Sequence, residues 1–421
     1  MAEIKTYKKI SISLSFISMI VISTINAQIV YEAPAKKLIE FGWNSPFISA
    51  YKEHFIDYEK GPFDGITLKL SKEVCNGNIF MVDNWGKISS ESKETERKLI
   101  NSLEKSKVLT DNFLVLYGGS QMDWFSDSDW EKVEDQLRFA VPLARDAGCK
   151  GILWDPEPYK PGKNPWKFKE QEKALQYSFE QYNIQVRKRG AQFMQILQDE
   201  FPDIIIISLR ELSDWQDGSP FSTPLLPVTD RNKTITALED AWWGLHPAFY
   251  AGILDAIKPG IEFIDANEEA YYYTSALEYY RVRNILIDDA KALVPTELWQ
   301  KHSAFNKIGH AVSADYIAGN WLGIKPFPYR LSGQGAVMTP EERALWFEHN
   351  AYYALRTADE YAWLYTEDMN WWTGENVPEG FREALISAKM KVNTGQQLGF
   401  DISLLIKKAQ DKAEEMYKNK H

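Results

Sequence analysis

Eight short apolar runs alternate with longer amphipathic segments along this chain. The runs have the length of buried strands, and each is followed by a segment in which apolar positions recur at helical spacing. The predicted strands are Ile39–Trp43, Gly65–Leu70, Phe113–Gly118, Gly151–Trp154, Asp203–Leu209, Ile261–Asp265, Ile308–Ser313 and Tyr361–Tyr365. This alternation indicates a parallel sheet covered by helices.

The segments between the runs predict the helices. They are Phe47–Lys60, Lys93–Lys105, Asp129–Ala147, Phe168–Phe201, Pro247–Ile257, Ser275–Leu293 and Pro340–Arg356. Pro247 and Pro340 stand where a first helical turn tolerates proline, and Thr339 is a candidate N-cap. Residues 379–418 are interpreted as helices that close the fold.

Eight strand–helix repeats favour an α/β fold of the (β/α)8 TIM barrel type. No glycine-rich phosphate turn follows the first strand, which argues against a doubly wound sheet. Residues 28–421 contain no Pro-, Gly- or Ser-rich linker, so we expect a single barrel domain. Long connections near residues 71–91, 158–167, 212–245 and 314–338 follow strands, and should lie on the C-terminal face where such barrels build their sites.

The first 27 residues have the order of an export signal. Three lysines precede an apolar run from Ile10 to Ile25, and Ala27 ends the run with a small residue. We therefore expect a signal peptide over residues 1–27, cleavage near Ala27, and a secreted or periplasmic protein. The run is short and interrupted by Ser and Thr, and no other stretch is long enough, so no membrane span is expected.

Charge and aromatic content narrow the range of partners. The formal net charge is −11, which would repel nucleic acid and disfavour a heavily sulfated or uronate polymer unless Lys and Arg cluster locally. The chain holds 15 Trp, 21 Tyr and 21 Phe, rings that can stack on sugars but also fill cores. Composition is thus compatible with a carbohydrate partner and does not identify one.

Two carboxyl side chains, Asp155 and Glu157, lie at the end of predicted strand four. Residues two apart on a strand face the same side, so both should point toward the barrel axis. Two carboxyls held this close cannot both ionise freely, and one pKa should rise, as a general acid requires. The alternative is a pair of structural carboxylates at a strand end.

The segment Gly148-x-x-Gly151-Ile-x-x-Asp155-x-Glu157 resembles the strand-four signature of the chitinase-like glycoside hydrolases. In that family the Glu is the proton donor and the Asp positions an acetamido group of the substrate. The resemblance implies Glu157 as donor and Asp155 as its partner. The earlier acid of the family signature falls on Leu153 here. More broadly, the chain is similar to secreted bacterial (β/α)8 barrels assigned to the glycoside hydrolases.

A second group of candidates follows predicted strand eight. Glu367 shares a face with Tyr365 and is the candidate second catalytic carboxylate, as nucleophile or as base for water. Trp371 and Trp372 are a candidate sugar platform, with Tyr159 and Tyr365 as further sugar contacts. The alternative is a core aromatic cluster with a solvated acid.

Strands five and six supply the remaining candidates. Asp265 is a rival for the second carboxylate, and Asp265 and Asn267 could bind sugar hydroxyls. Arg210 and Glu211 form either a substrate contact or a structural pair. Glu268 and Glu269 are expected to begin the next helix, where acids suit the dipole.

Two further expectations concern charges and metals. If the apolar positions of strands one and two face the helices, Glu40 and Lys69 meet inside the barrel as a buried pair. The six His residues show no zinc-type spacing, so neither a metal site nor a cofactor is expected. An oxygen-ligated Ca²⁺ site is left open.

These features favour a glycoside hydrolase that cleaves a poly- or oligosaccharide by carboxylate acid/base catalysis. Two alternatives stay open. One is a non-catalytic carbohydrate-binding barrel. The other is a polysaccharide lyase, for which Arg210 and Lys69 are the candidate charge-neutralising cations.

Overall fold

A computed structural model describes residues 35–119, 122–159, 163–215, 237–319 and 334–418. The predicted signal peptide and parts of three of the predicted long connections, those near 158–167, 212–245 and 314–338, lie outside these ranges. Residues Ala35–His421 form one compact unit.

Within these described ranges, nine parallel strands form a nearly closed barrel, which confirms the predicted fold class. They are β1 (Lys37–Gly42), β2 (Gly65–Leu68), β3 (Phe113–Tyr117), β4 (Gly151–Asp155), β5 (Ile205–Ser208), β6 (Glu262–Asp265), β7 (Asn306–Ile308), β8 (His310–Ser313) and β9 (Tyr361–Thr366). Their order in the sheet is β7-β6-β5-β4-β3-β2-β1-β9-β8. Every predicted strand is present, and predicted strand seven is divided between β7 and β8.

Gly309 separates β7 from β8 at the point where the chain changes its pairing partner. β7 pairs with β6, whereas β8 pairs with β9. The Gly309 amide donates a hydrogen bond to the Asp265 carbonyl at 2.7 Å. A Cβ at Gly309 would lie 3.0 Å from the Ile264 side chain and 3.1 Å from the Tyr361 carbonyl oxygen. The barrel therefore closes through a position where a side chain would be crowded.

Helices cover the outside of the barrel and follow most of the predicted segments. In chain order, α1–α14 are Ile48–Glu53, Phe55–Tyr58, Val82–Trp85, Ser90–Asn101, Asp127–Asp146, Phe179–Glu200, His246–Ala256, Ala276–Ile287, Trp299–Phe305, Ala314–Ala318, Gln334–Val337, Pro340–Thr357, Phe381–Asn393 and Ser403–Lys418. Thr339 caps α12 as expected.

One predicted helix starts much later than expected. The segment predicted from Phe168 holds only a 3₁₀ turn, Phe168–Glu170, before α6 begins at Phe179. Ser178 and Gln181 form a capping box there, in which each side chain satisfies a backbone amide of the first turn. The start of α6 is thus set by a local capping signal rather than by the apolar spacing before it.

The side chains of β1 face the opposite way from the sequence expectation. Phe41 packs against Trp363 of β9 at 5.5 Å between ring centroids, and the Trp363 indole donates a hydrogen bond to the Ala266 carbonyl beyond β6. Ile39 and Phe41 therefore line the barrel interior, and Glu40 points to the helical layer.

The expected meeting of Glu40 and Lys69 inside the barrel is consequently wrong. Glu40 is fully buried, and its desolvation raises its pKa to about 8, with the charge of Lys69 opposing that rise. The Lys69 ammonium donates to the Trp43 carbonyl oxygen at 2.8 Å and makes no ion pair in the described part of the chain.

Candidate active site

Asp155 is the last residue of β4 and is fully buried. Its Oδ1 accepts a hydrogen bond from the Glu157 amide at 3.1 Å, and its Oδ2 accepts one from the Tyr159 hydroxyl at 2.8 Å. Burial is the larger cause that raises the pKa of Asp155 to about 8, and the neighbouring Glu157 charge adds to it. The Asp155 carboxyl therefore binds its proton more tightly than an exposed aspartate does.

Glu157 is the more accessible member of the pair, with 20% of its side chain exposed. The Arg210 Nε donates to Glu157 Oε1, and the Arg210 guanidinium also lies 3.0 Å from Glu268 Oε2. Arg210 itself is 5% exposed and lies over the Trp243 ring. One nearly buried cation thus links two carboxylates from the ends of β4 and β6.

Glu268 is a site residue that the sequence reasoning assigned to a helix start. It begins the 3₁₀ turn Glu268–Tyr272, directly after Asn267, whose φ of 44° is left-handed. Asn is one of the few residues that accept this conformation readily, and it turns the chain so that Glu268 faces Arg210. The sequence signal was the Asp-x-Asn-Glu run after a strand, which does not by itself reveal Arg210 as the partner.

Asp265 and Asn267 are buried supports and do not reach the surface. Asp265 accepts hydrogen bonds from the Ser213 amide at 2.8 Å, from the Ser213 hydroxyl and from the Asn267 amide at 3.1 Å. Burial nevertheless raises its pKa to about 6. The Asn267 amide group lies 2.9 Å from His310 Nδ1. Both side chains are fully buried, as is that of Asp155, so the expected roles of Asp265 and Asn267 as substrate contacts, and of Asp265 as rival second carboxylate, stay predictions.

Glu211 is also enclosed. Its Oε2 lies 3.3 Å from His246 Nδ1, and both side chains are almost fully buried. Burial and the Arg210 charge lower the pKa of His246 to about 3, so the imidazole is neutral. The expected alternatives were a substrate contact or a structural Arg210–Glu211 pair. Glu211 has structural surroundings beside His246, and Arg210 pairs with Glu157 and Glu268.

Glu367 lies just beyond β9, at the same end of the barrel. The Tyr365 hydroxyl donates to its Oε1 at 2.6 Å, and its own amide donates to Asp315 Oδ2 at 2.7 Å. Partial burial raises the pKa of Glu367, and burial raises the pKa of Asp315 to about 6. A second group of acids that hold protons more tightly than usual therefore lies at the C-terminal end of β8 and β9.

The two tryptophans expected to form a sugar platform have different surroundings. Trp371 is fully buried, with its ring 5.7 Å from Phe63 and 6.3 Å from Phe347. It belongs to the core, so the platform expectation is withdrawn for Trp371. Trp372 is half-buried against Tyr58, at 4.1 Å between ring centroids.

An exposed aromatic pair that the sequence reasoning missed in part lies beside Asp155. Trp43 and Tyr159 are 48% and 45% exposed, with ring centroids 5.3 Å apart. Together with Tyr117 they line a groove of about 720 Å³. Because the Tyr159 hydroxyl also bonds Asp155 Oδ2 at 2.8 Å, the groove adjoins the carboxyl pair. The signal for Trp43 was its position directly after β1.

The described ranges offer neither a metal-binding cluster nor a membrane-spanning helix. They contain no group of three or more His, Cys, Asp or Glu side chains placed to hold a metal ion. None of the helices in this part of the chain is long and apolar enough to span a bilayer.

The chain resembles some solved structures weakly and has no match by sequence. No family model matches the chain, and no curated protein matches it. Among solved structures it is similar to a GH18 chitinase from Pseudoalteromonas aurantia, at 10% identity and a TM-score of 0.35 over 84% of this chain and 100% of that one. It is also similar to a GH5-4 broad-specificity endoglucanase from an uncultured bacterium, at 10% identity and a TM-score of 0.42 over 80% of this chain and 84% of that one. Similarity this low assigns no activity to the chain.

Proposed function

We propose that this protein is an exported glycoside hydrolase that cleaves glycosidic bonds in a poly- or oligosaccharide by carboxylate acid/base catalysis. The observation that carries the proposal is the carboxyl pair at the end of β4, in which Asp155 is buried and has a raised pKa, Glu157 is partly exposed, and an aromatic groove lies beside them. A carboxyl that keeps its proton near neutral pH can donate that proton to the leaving oxygen of a glycoside.

Burial divides the roles of the two acids. Glu157 is the one whose side chain reaches solvent, so it is the proposed proton donor to substrate. Asp155 has no exposed surface and acts as its partner, which holds the proton while Glu157 is paired with Arg210. In the proposed step the proton passes from Asp155 to Glu157, and Glu157 then donates it to the leaving glycosidic oxygen, so that both acids end as carboxylates. Tyr159 links sugar binding to proton transfer, because its ring faces the groove and its hydroxyl donates a hydrogen bond to Asp155.

Glu367 is the proposed second carboxylate. It lies at the same end of the barrel, and its raised pKa and hydrogen bond from Tyr365 are features of a tuned acid. Its role is nucleophile or base for water, which the stereochemistry of the product distinguishes.

A specific observation counts against the lyase alternative. Arg210 is already paired with two carboxylates, and Lys69 donates to a backbone carbonyl. Neither cation is open to a uronate carboxylate, which a lyase must neutralise. The non-catalytic binding barrel needs the aromatic groove but has no use for a proton-holding acid pair.

The test is turnover of a panel of polysaccharides by the purified protein, by Glu157→Gln and by the control Glu131→Gln, an exposed acid on α5. General acid catalysis contributes about 10²–10⁴-fold, so Glu157→Gln should lose that factor and the control none. Equal turnover by wild type and Glu157→Gln would remove Glu157 from the mechanism. Binding without release of reducing ends would favour the binding barrel, and ultraviolet-absorbing unsaturated products would favour the lyase.

A further inference from the structure

The groove beside the acid pair continues outward along the connection between β2 and α4. Trp43, Tyr117 and Tyr159 form its inner end, and Asn76 and Asn84 lie on its wall. A volume of about 720 Å³ lies within the range of roughly 300–1,000 Å³ that ligand pockets occupy. The groove is therefore large enough for sugar units beyond the one at the acids.

The wall of this groove has an unusual backbone. Cys75, Asn76 and Gly77 all have left-handed φ values, of 62°, 52° and 71°. A Cβ at Gly77 would lie 2.7 Å from the Val115 carbonyl oxygen, so the turn sits tightly on β3. Side-chain and backbone hydrogen bonds hold it, from Asn78 Nδ2 to the Cys75 carbonyl and from the Asn76 amide to the Ser71 carbonyl, each at 3.0 Å. Left-handed non-glycine residues persist only where their surroundings impose them, and they concentrate at binding sites.

The charge of the groove is opposite to that of the whole chain. Lys72 and Lys87 line it and are exposed, and neither forms an ion pair with any described residue. Glu73 is the one acid among the lining residues that the structure describes. The chain as a whole has a net charge of −11, whereas the described lining of the groove holds two lysines and one acid. A lining with this balance of charges does not repel an acidic sugar as the rest of the acidic surface would.

We propose that this groove binds an anionic oligosaccharide, whose sugar faces stack on Trp43 and Tyr159 and whose carboxylate or sulfate groups meet Lys72 and Lys87. The inference rests on the proposed function and specifies its substrate class. Aromatic faces supply affinity for any sugar ring, whereas the two lysines supply the preference for charge. The side-chain amide of Asn84, exposed and without a hydrogen bond in the described part of the chain, can meet a hydroxyl.

The experiment measures binding of three hexasaccharides by calorimetry: one of uronic acid, one sulfated and one neutral glucan. Wild type and Glu157→Gln are both used, so that cleavage does not obscure affinity. At 50 mM salt we expect at least one anionic hexasaccharide to bind about tenfold more tightly than the neutral one, and the preference to shrink at 500 mM salt. Whichever anion binds more tightly identifies the source of the charge.

The lysines are then tested directly. Lys72→Ala/Lys87→Ala should lose the preference for the anionic hexasaccharide and keep its affinity for the neutral one. The matched control is Lys188→Ala/Lys407→Ala, two exposed lysines on α6 and α14, which should behave as wild type. Trp43→Ala should weaken all three ligands.

Two results would overturn the inference. Equal affinity of wild type for all three hexasaccharides at low salt would remove the charge preference, and an unchanged preference in the Lys72/Lys87 variant would place it elsewhere. Failure of the proposed function looks different, because the anionic ligand would then bind through the lysines but would not be cleaved by wild type. Cleavage of neutral glucan without any charge preference would keep the hydrolase and reject the anionic groove.

Discussion

The Tyr159 hydroxyl donates a hydrogen bond to Asp155 Oδ2 at 2.8 Å, while almost half of the Tyr159 residue is exposed to the groove. One side chain therefore touches both the surface proposed to bind sugar and the buried carboxyl proposed to hold a proton. Its hydrogen bond favours the ionised form of Asp155 and so opposes the rise of the Asp155 pKa.

Tyr159→Phe should move this pKa further upward. The variant keeps the ring that faces Trp43 and removes only the donor to Asp155. The alkaline limb of the pH profile of kcat/KM should shift to higher pH, with KM for substrate nearly unchanged. Tyr280→Phe, an exposed tyrosine on α8, is the control. An identical pH profile in wild type and Tyr159→Phe would contradict the proposed link.

Asp155→Asn should make stability less dependent on pH. The pKa of Asp155 rises from 3.8 to about 8 on folding, so between these values the folded protein binds more protons than the unfolded chain. Stability must therefore fall as pH increases through that window. Asn cannot titrate, so the melting temperature of the variant should fall less between pH 5 and pH 8.5.

Other acids affect the size of this change in melting temperature and supply its control. Buried Glu40, with a pKa of about 8, leaves part of the slope in the variant. A shift of roughly 2–4 °C accompanies each kcal/mol in a domain of about 150–250 residues, and the larger unit Ala35–His421 should shift by less for each kcal/mol. Asp135→Asn, an exposed acid on α5, should reproduce the wild-type slope. The same slope in all three proteins would show that Asp155 does not carry the proton.

Arg210→Met should be strongly destabilising. It removes the cation from a nearly buried group in which Glu157 and Glu268 both depend on it. Removing one partner of a buried ion pair costs about 3–5 kcal/mol, which urea unfolding measures. The double variant Arg210→Met/Glu268→Gln should recover part of the loss, because one of the two carboxylates that pair with Arg210 is gone. A double variant no more stable than Arg210→Met would argue that Glu268 is not coupled to Arg210.

Alanine variants of the adjacent Trp371 and Trp372 should lose different amounts of unfolding free energy in the same assay. Trp371→Ala empties a fully buried site and should cost about 3–5 kcal/mol in unfolding free energy. Trp372→Ala, at a half-buried site against Tyr58, should cost less than half of that. Reduced oligosaccharide affinity of the folded Trp372 variant would support its role as a sugar contact. Equal stability of the two variants would contradict the placement of Trp371 in the core.

Barrel strands were the part of the fold most open to prediction from sequence. A strand covered by helices on one side and packed inside the barrel on the other is apolar on both faces, so it reads as a continuous apolar run. β4 ends at Asp155 as the Gly151–Trp154 run indicated to within one residue. The division of predicted strand seven at Gly309 was not visible, because a glycine between two short runs does not reveal a change of pairing partner.

The facing of β1 shows where this reasoning fails. Ile39, Glu40 and Phe41 contain a charged residue between two apolar ones, which normally places the charge toward a polar interior or solvent. In a strand buried on both faces, alternation does not distinguish the barrel axis from the helical layer. The packing of Phe41 on Trp363 decided the direction, and it left Glu40 buried against the helices.

The sequence by itself determined that two carboxyls end strand four, and it predicted a raised pKa for one of them, since two acids so close cannot both ionise freely. Only the tertiary structure decided which one. Arg210 comes from the end of β5, more than fifty residues further along the chain, and it pairs with Glu157 rather than Asp155. Glu268 and Trp43 reach the same end of the barrel from β6 and β1. A pKa depends on burial and on nearby charges, and folding supplies both from segments that are distant in the chain.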